Sequence, residues 1–532
     1  YNVAVGEQAV LNVTTGVNNT LVGALAGDAY TTSNNNVAVG YAALSTDTKG
    51  TKNVAVGFEA LKDQNQTTNT DVYNVAVGYH AGTNVTTGTL NTLIGGVAGD
   101  AITSGERNVA VGYNALTTNA LGNRSVAIGQ GTLADQNYTT ATTAYNTAVG
   151  DSAGNSVTTG VNNVLLGALS GDALTDADHN VAIGRSALGQ DTLGSRTIAI
   201  GFQALAVQNF TTATNSYNIA IGYNAGVSLT TGTNTTIVGS LAGDALTDGD
   251  FNVALGYGSL SSDTRGSRAV AVGYLALQDQ NLTTSSNSNN TAVGYAAGTN
   301  VTTGVNNTLI GSEAGEDMTT GTSNTAVGVA AMGSANVTGD SNTAVGAAAM
   351  ISLSSGTNNT AIGHDAGRSG SPGGNTTTGT NRIALGDENV DNAHIQVAFT
   401  VASDERDKTD FVDLDLGLDF VKALAPVTYY WDKRSKYGDK YAEDYDLNAQ
   451  TPDGTHKEDW MDIGFKAQAV RDLEEAAGYT AADKKNLTVS LSDDGKQYGL
   501  QYEKFIPILV KAIKDQDAII TSLTARVAAL ES

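Results

Sequence analysis

The sequence contains no cysteine, only four prolines and only two tryptophans among its 532 residues. The absence of cysteine excludes disulfide bonds and thiolate metal sites. The sequence also lacks an apolar run of the roughly 18 residues that a membrane-spanning helix needs, and it has no signal-peptide pattern. We therefore expect no segment that inserts into a membrane.

Basic residues are scarce, above all in the first three quarters of the chain. Of the 28 Lys and Arg, 17 lie from Ser403 onward, whereas 27 of the 53 Asp and Glu precede that residue. The first 402 residues therefore carry a net charge of about −16, out of −25 for the whole chain. A nucleic-acid ligand requires clustered Lys and Arg, so nucleic-acid binding is excluded.

An internal repeat dominates the first part of the chain. The hexapeptide "YNVAVG" occurs at Tyr1 and Tyr73, and close variants begin at Tyr145, Tyr217 and Asn289, with a spacing of 72 residues in each case. A shorter motif recurs inside each unit at steps of 17, 17, 17 and 21 residues, and 22 copies reach as far as Arg382. Because the chain opens inside such a unit, we expect its natural N-terminus to lie further upstream.

Each copy of the motif has the form N-x-A-x-G-x-x-A, as in "NVAVGYAAL" at 36–44. Val37 and Val39 alternate with Ala38, which predicts a short strand with two apolar faces. Gly40 follows, where the backbone turns without a Cβ. Strands stacked at about 4.8 Å predict a mainly β fold, a parallel β-roll or solenoid of about 22 short coils.

The two apolar faces of the strand indicate that both are covered. One face would point into the coil and the other toward a neighbouring chain, so we expect an intertwined homo-oligomer. The motif N-x-A-V-G-x-x-A resembles the β-roll heads of YadA-type trimeric adhesins and similar repeats in phage tail fibres, over residues 1–386. The resemblance implies that the oligomer is a homotrimer.

Every fourth coil carries four extra residues, and such insertions usually form loops on one face of a repeat protein. The matching positions in the four loops are Gln66, Tyr138, Phe210 and Leu282. Tyr138 and Phe210 are candidates for contacts with a receptor. The alternative interpretation is that the insertions are solvated bulges, or that these rings fold back and anchor the loops.

No cofactor or metal site is predicted. The histidines of the repeat part, His80, His179, His364 and His394, lack the spacing of metal ligands. Acidic residues are spread thinly, so the paired carboxylates of a glycoside hydrolase cannot be singled out.

The chain changes character near residue 403. Residues 1–366 form the repeat region, and 367–402 comprise a Gly/Ser/Thr-rich linker, a last motif and the extended run at 394–402. Residues 403–532 have the patterns of an α+β domain. Its final segment places apolar residues at heptad positions, which predicts a coiled-coil helix; these residues are Leu509, Ile513, Ile520, Leu523, Val527 and Leu530.

The order of motifs in this domain resembles the intramolecular chaperone domain of endosialidase-type phage tailspikes and tail fibres. The matching segments are S-D-x-R-x-K at 403–408, "LGLDFVKALAPVTYYW" at 416–431, "IGFKAQ" at 463–468 and "YEKFIPILVKAIKDQ" at 502–516. The resemblance implies that the domain guides trimerisation and then cuts the chain between Ala402 and Ser403. Ser403 would be the nucleophile and Lys408 the general base, while Asp404 and Arg406 would position the loop.

The chemistry imposes a condition on the local structure. A serine hydroxyl needs an adjacent base, yet five residues on a regular helix would place Ser403 and Lys408 about 140° apart. Ser403 must therefore lie outside the helix. The alternative interpretation makes Ser403 an ordinary helix N-cap, with Asp404 and Glu405 complementing the helix dipole.

The sequence thus predicts the distal part of a phage tail fibre, a trimeric host-surface adhesin matured by self-cleavage and without activity on external substrates. Expected partners are a host glycan or protein receptor and other virion tail proteins, the latter bound through an upstream part of the chain. The expected location is the extracellular virion tail. The alternatives are a bacterial trimeric surface adhesin and a polysaccharide-degrading tailspike.

Overall fold

The computed structural model describes residues 1–371, 373–390, 393–396, 401–440, 442, 444–480, 485, 487–492 and 494–531. The chain divides into two compact units, Tyr1–Thr320 and Gly321–Ser532. The architecture is mainly β, a parallel β-solenoid of about 21 turns followed by a small C-terminal helical region. This confirms the predicted fold class. Residues 397–400 of the predicted extended run lie outside the described residues.

One turn of the solenoid contributes one three-residue strand to a parallel ladder. Val37–Val39 pairs in register with Thr20–Val22 on one side and Val54–Val56 on the other. Its central Ala38 is fully buried inside the coil, whereas Val37 and Val39 are partly exposed on the outer face. This pattern follows from the alternation of side chains along a strand.

The same strand recurs along both units. In the first unit the ladder strands are Val3–Val5, Thr20–Val22, Val37–Val39, Val54–Val56, Val75–Val77, Thr92–Ile94, Val109–Val111, Val126–Ile128, Thr147–Val149, Val164–Leu166, Val181–Ile183, Ile198–Ile200, Ile219–Ile221, Thr236–Val238, Val253–Leu255, Val270–Val272, Thr291–Val293 and Thr308–Ile310. In the second unit they are Thr325–Val327, Thr343–Val345, Thr360–Ile362 and Ile383–Leu385.

The asparagine of the motif forms a buried ladder of its own. The Asn91 amide Nδ2 donates to the Gly105 carbonyl oxygen at 2.9 Å, and its Oδ1 accepts from the backbone N–H of Asn108 at 3.0 Å. Asn91 is fully buried, and its own N–H is bonded to Asn74 in the same way. One side chain therefore satisfies two buried backbone groups in adjacent turns, which an apolar residue cannot do.

The glycine of the motif is required by the close approach of successive turns. Gly40 has a φ of +134°, which side-chain-bearing residues rarely adopt, and a Cβ there would collide with the carbonyl oxygen of Gly57. The next turn repeats the relationship between Gly57 and Gly78. Glycine therefore sets the sharp corner at the end of each strand.

The four-residue insertions add short parallel strand pairs beside the main ladder. The insertion loops also bury polar groups, since Asp47 accepts hydrogen bonds from Gln64 Nε2 at 2.8 Å and from the Gln66 N–H at 3.1 Å. The paired strands are Gly50–Thr51 with Thr70–Asp71, Gly122–Asn123 with Thr142–Thr143, Gly194–Ser195 with Thr214–Asn215, and Gly266–Ser267 with Ser286–Asn287.

The second unit continues beyond its solenoid strands into an α+β region. Its α-helices are α1 (Leu418–Ala423), α2 (Ala467–Ala476) and α3 (Phe505–Glu531). Val427–Tyr430 pairs antiparallel with Met461–Gly464, and Val489–Leu491 pairs with Tyr498–Leu500. The 3-10 helices are Glu405–Asp407, Arg434–Lys436, Leu447–Ala449 and Tyr502–Lys504.

Two small clusters form the core of this region. Leu416 and Phe420 pack on Ile508 of α3, and Val470 of α2 packs with Val489 and Phe505. The remainder of α3 is largely uncovered, since its heptad residues are at least 45 % exposed. The helix has the predicted position, and its apolar stripe is available to a partner helix.

Candidate active site

Ser403 and Lys408 lie on either side of the 3-10 helix Glu405–Asp407. Asp404 is the N-cap of that helix, because its carboxylate accepts from the backbone N–H of Arg406 at 2.9 Å. Lys408 is the C-cap and has an extended conformation, with φ −125° and ψ 150°. Ser403 is therefore outside the helix, as the dyad requires, and the N-cap alternative is wrong for this residue.

This arrangement brings the two side chains into contact. Lys408 Nζ lies 2.5 Å from Ser403 Oγ and 3.3 Å from the Ser403 carbonyl oxygen. The contact is possible because the helix is only three residues long and both Ser403 and the extended Lys408 lie outside it. The hydroxyl and the amine are thus within direct proton-transfer distance.

The Asp404–Arg406 pair shapes the same turn. The Arg406 guanidinium donates to Asp404 through Nη2 at 2.6 Å and through Nε at 3.1 Å. This hydrogen bonding holds the pKa of the Asp404 carboxyl below its ordinary value. The pair is exposed and therefore contributes little to stability. A positioning role for Asp404 and Arg406 stays a prediction.

The predicted cleavage point is accessible. Residues 401–410 are all exposed, including Ala402, Ser403 and Lys408. A lysine becomes a general base where burial or a neighbouring cation disfavours its ammonium form. The described part of this chain supplies the contact geometry but no cover over the Lys408 amine.

The two candidate receptor rings are buried. Tyr138 is 5 % exposed and Phe210 is 6 % exposed. The Tyr138 hydroxyl donates to the Gly160 carbonyl oxygen at 2.8 Å, and burial raises the pKa of this phenol. Gln66 and Leu282 are buried at the matching positions. These residues anchor their loops, and the rings of Tyr138 and Phe210 are not presented to a receptor.

Other aromatic rings, which the sequence analysis did not single out, are exposed in a column beside the strands. Each follows the glycine of its motif, and neighbouring rings stack along the solenoid. Centroids of Tyr41 and Phe58 are 5.2 Å apart, and those of Tyr274 and Tyr295 are 5.4 Å apart. We call this set the ring column; its exposed members are Tyr41, Phe58, Tyr79, Tyr113, Phe202, Tyr223, Tyr257, Tyr274 and Tyr295.

A cluster of charged side chains was also missed. Lys440 Nζ lies 2.9 Å from Asp365 Oδ2, 2.7 Å from Glu388 Oε1 and 3.9 Å from Asp387 Oδ2. The Asp365 side chain is only 1 % exposed, and the neighbouring cations lower its pKa although burial opposes this. We call these four residues the Lys440 cluster.

His364 borders the Lys440 cluster. Its Nδ1 lies 3.5 Å from Asp365 and 3.6 Å from Asp387, and the three side chains have potential metal-ligand atoms within 4.8 Å of one another. Two cations, Lys440 and Arg368, already pair with Asp365 at this position. We therefore assign the group as an ion-pair cluster.

Residues 403–479 match the family model for the chaperone of endosialidase. The match begins at Ser403 and contains Lys408, α1, α2 and the antiparallel strand pair between them. Searches of curated proteins and of solved structures found no match. Among the described residues, no helix combines the length and the apolar character needed to cross a bilayer.

Proposed function

We propose that this chain is part of a phage tail fibre or tailspike, a homotrimeric host-surface adhesin whose C-terminal domain guides assembly and then cuts itself off. The observation that carries the proposal is the contact between Ser403 Oγ and Lys408 Nζ, which lies at the start of the segment that matches the chaperone family. The β-solenoid upstream supplies the fibre.

The cleavage chemistry follows from this contact. Ser403 Oγ attacks the carbonyl carbon of Ala402 while the neutral Lys408 amine accepts the hydroxyl proton. Lys408 returns the proton to the Ser403 nitrogen as the C–N bond breaks, which leaves Ala402 esterified to Ser403 Oγ. Water then hydrolyses the ester and yields a new carboxylate at Ala402 and a free hydroxyl on Ser403.

A partner chain would complete this site. Ser403 and Lys408 are exposed in the single chain, whereas a lysine base requires desolvation or a nearby cation. Assembly that covers the segment would therefore activate Lys408. Cleavage would then follow trimerisation and would not precede it.

The outer face of the solenoid supports trimerisation. The third residue of the ladder strand is Val, Ile or Leu in every copy of the motif. These side chains are half-exposed in the single chain, for example Ile221 at 37 % and Ile362 at 48 %. An aliphatic stripe that recurs along each unit is typical of a surface that another chain covers. The exposed heptad residues of α3 are suited to a matching coiled coil.

The ring column supports a role in surface binding. The same position after the motif glycine holds polar or charged residues in other turns, namely Glu7, Gln130, Asp151 and Arg185. The ring column therefore differs from the aliphatic stripe, which we assign to the contact between chains. Exposed tyrosine and phenylalanine edges suit contacts with a glycan or protein on a host cell. The chain would act outside the cell as part of the virion tail, in association with other tail proteins.

Deletion of residues 403–532 tests the chaperone role. We expect the truncated chain to yield monomers or soluble aggregates, because 17-residue repeats offer many nearly equivalent wrong registers. Native mass spectrometry of the truncated and full chains would measure the fraction of trimer. Normal trimers from the truncated chain would overturn the proposal.

A further inference from the structure

Lys440 bridges two carboxylates that occupy the same position in successive turns of the solenoid. Asp365 is the second residue after Gly363, and Glu388 is the second residue after Gly386. The strands that precede these glycines, Thr360–Ile362 and Ile383–Leu385, pair in parallel register. Their backbones are therefore about 4.8 Å apart, and one ammonium group reaches both carboxylates.

No other pair of successive turns offers this arrangement in the sequence. Only two further acids follow a motif glycine by two residues, Glu59 and Glu313, and the next turn in each case holds His80 or Ala330. The other occupants of this position are Gln8, Leu25, Ala42, Val97, Asn114, Gly131, Ser152, Leu169, Ser186, Gln203, Asn224, Leu241, Gly258, Leu275, Ala296 and Ala348.

Neighbouring groups hold the bridge in place. Arg368 Nη1 pairs with Asp365 at 3.1 Å, and Arg368 Nη2 donates to the Lys440 carbonyl oxygen at 3.3 Å. Lys433 Nζ donates to the Glu388 carbonyl oxygen at 2.9 Å. The Glu388 and Lys440 side chains are only 6 % and 15 % exposed. A charge this buried is costly unless its partner is present, so the contact discriminates strongly between registers.

We infer that Lys440 sets the register of the C-terminal domain on the last two turns of the solenoid. A slip by one turn would place at most one carboxylate beside the buried ammonium. The other turns carry no such pair of acids in their sequence. Asp365 and Glu388 therefore distinguish the last two turns as the binding position of the C-terminal domain. This inference rests on the proposed chaperone role and assigns it a specific recognition contact.

The test uses the full chain with Ser403→Ala, so that cleavage does not separate the two parts. Lys440→Met removes the ammonium and keeps most of the side-chain length. Lys422→Met is the matched control, because Lys422 forms an exposed pair with Asp419 at 3.7 Å. We expect Lys440→Met to raise the hydrogen-exchange rate of residues 363–388 by on the order of tenfold or more, and the control to leave it unchanged.

Asp365→Asn and the double variant with Lys440→Met show whether the two residues act together. We expect the double variant to be no worse than the poorer single variant, because each change removes the same pair. Equal exchange rates in Lys440→Met and the control would overturn the inference, even if trimers form normally.

A second variant separates register from simple stability. Ala348→Asp creates an acid pair with Asp365 one turn earlier, at a residue whose φ of +55° matches the +54° of Asp365. Two competing registers should appear as two isotopic populations for residues 363–388 in hydrogen-exchange mass spectra. A single population identical to that of the parent chain would contradict the register role. If the parent chain is monomeric, the proposed assembly function fails, whereas the exchange comparison still tests the Lys440 contact.

Discussion

Ser403 Oγ and Lys408 Nζ are 2.5 Å apart, although five residues of regular α-helix would turn them away from each other. The short 3-10 helix Glu405–Asp407 and its Asp404 cap make this contact possible. The residues that shape the turn should therefore influence cleavage without taking part in it.

Arg406→Ala tests that expectation. Loss of the guanidinium removes its hydrogen bonds to both carboxylate oxygens of Asp404 and loosens the turn, so we expect self-cleavage to slow by roughly tenfold. Arg406→Lys should restore the rate only in part, because lysine cannot make the bidentate contact. Time-resolved intact mass would measure the rate. Arg471→Ala, which removes the similar pair with Asp472 on α2, is the control, and an equal rate for both alanine variants would refute the positioning role.

The buried asparagine ladder should be a main source of stability in the solenoid. Asn91→Ala leaves the Gly105 carbonyl and the Asn108 N–H without their partner, at about 1–3 kcal/mol for each buried group. We expect a clear drop in the melting temperature measured by circular dichroism. Asn84→Ala, at an exposed position of the same turn, should change it little. A melting temperature for Asn91→Ala as high as that of the control would show that the ladder is dispensable.

Tyr138 should matter for stability and not for binding. Its buried ring fills the insertion loop, so Tyr138→Ala should cost about 3–5 kcal/mol, as for other large aromatic truncations. Tyr138→Phe loses the hydroxyl, which donates to the Gly160 carbonyl oxygen and accepts from Asn146 Nδ2 at 3.3 Å, at about 1 kcal/mol for each hydrogen bond. Tyr113→Ala, at an exposed ring, should be nearly neutral. Thermal unfolding would rank the three variants, and a neutral Tyr138→Ala would contradict the anchor assignment.

The Lys440 cluster predicts a defined pH dependence. The pKa of Asp365 is lowered in the folded chain. Its contribution to the stability of the fold is therefore fully present above the pKa of the unfolded chain, about 3.9. It is lost as the pH falls through the lower folded value. The pKa of Lys440 is raised, so its contribution is present below about 10.4 and is lost only as the pH rises through the folded value. The pair should therefore stabilise the second unit evenly between about pH 4 and 10.

Melting curves from pH 7 to pH 3 would check this for the parent chain and Asp365→Asn. The variant should melt at a lower temperature at pH 7, and the difference should shrink on acidification below about pH 4. A difference that stays constant down to pH 3 would argue against a charged pair.

The periodic part of the fold could be predicted from the sequence because the alternation and the glycine of N-x-A-x-G reflect the local conformation of the backbone. The alternation at 37–39 predicted a strand with two apolar faces and Gly40 predicted the corner, and the structure has both. Which face points into the coil was not predicted, and the structure places Ala38 there. The role of the asparagine was not predicted, because its partners lie 14 and 17 residues away in adjacent turns. The dyad was recognisable since Ser403 and Lys408 are close in sequence.

The Lys440 cluster could not be predicted in the same way. Lys440 is separated by 75 residues from Asp365. The sequence around Lys440 contains no motif that distinguishes it from an ordinary surface lysine. Only the fold brings it to the acids of two successive turns. The placement of Tyr138 also depended on the fold, because an aromatic residue in a loop insertion is compatible with either exposure or anchoring.

The most direct test of the central claim is the intact mass of the full chain after expression, beside the Ser403→Ala variant. We predict a fragment that begins at Ser403, roughly 14 kDa at about 110 Da per residue for 130 residues, in the parent chain and not in the variant. A single full-length mass for both chains would contradict self-cleavage by Ser403.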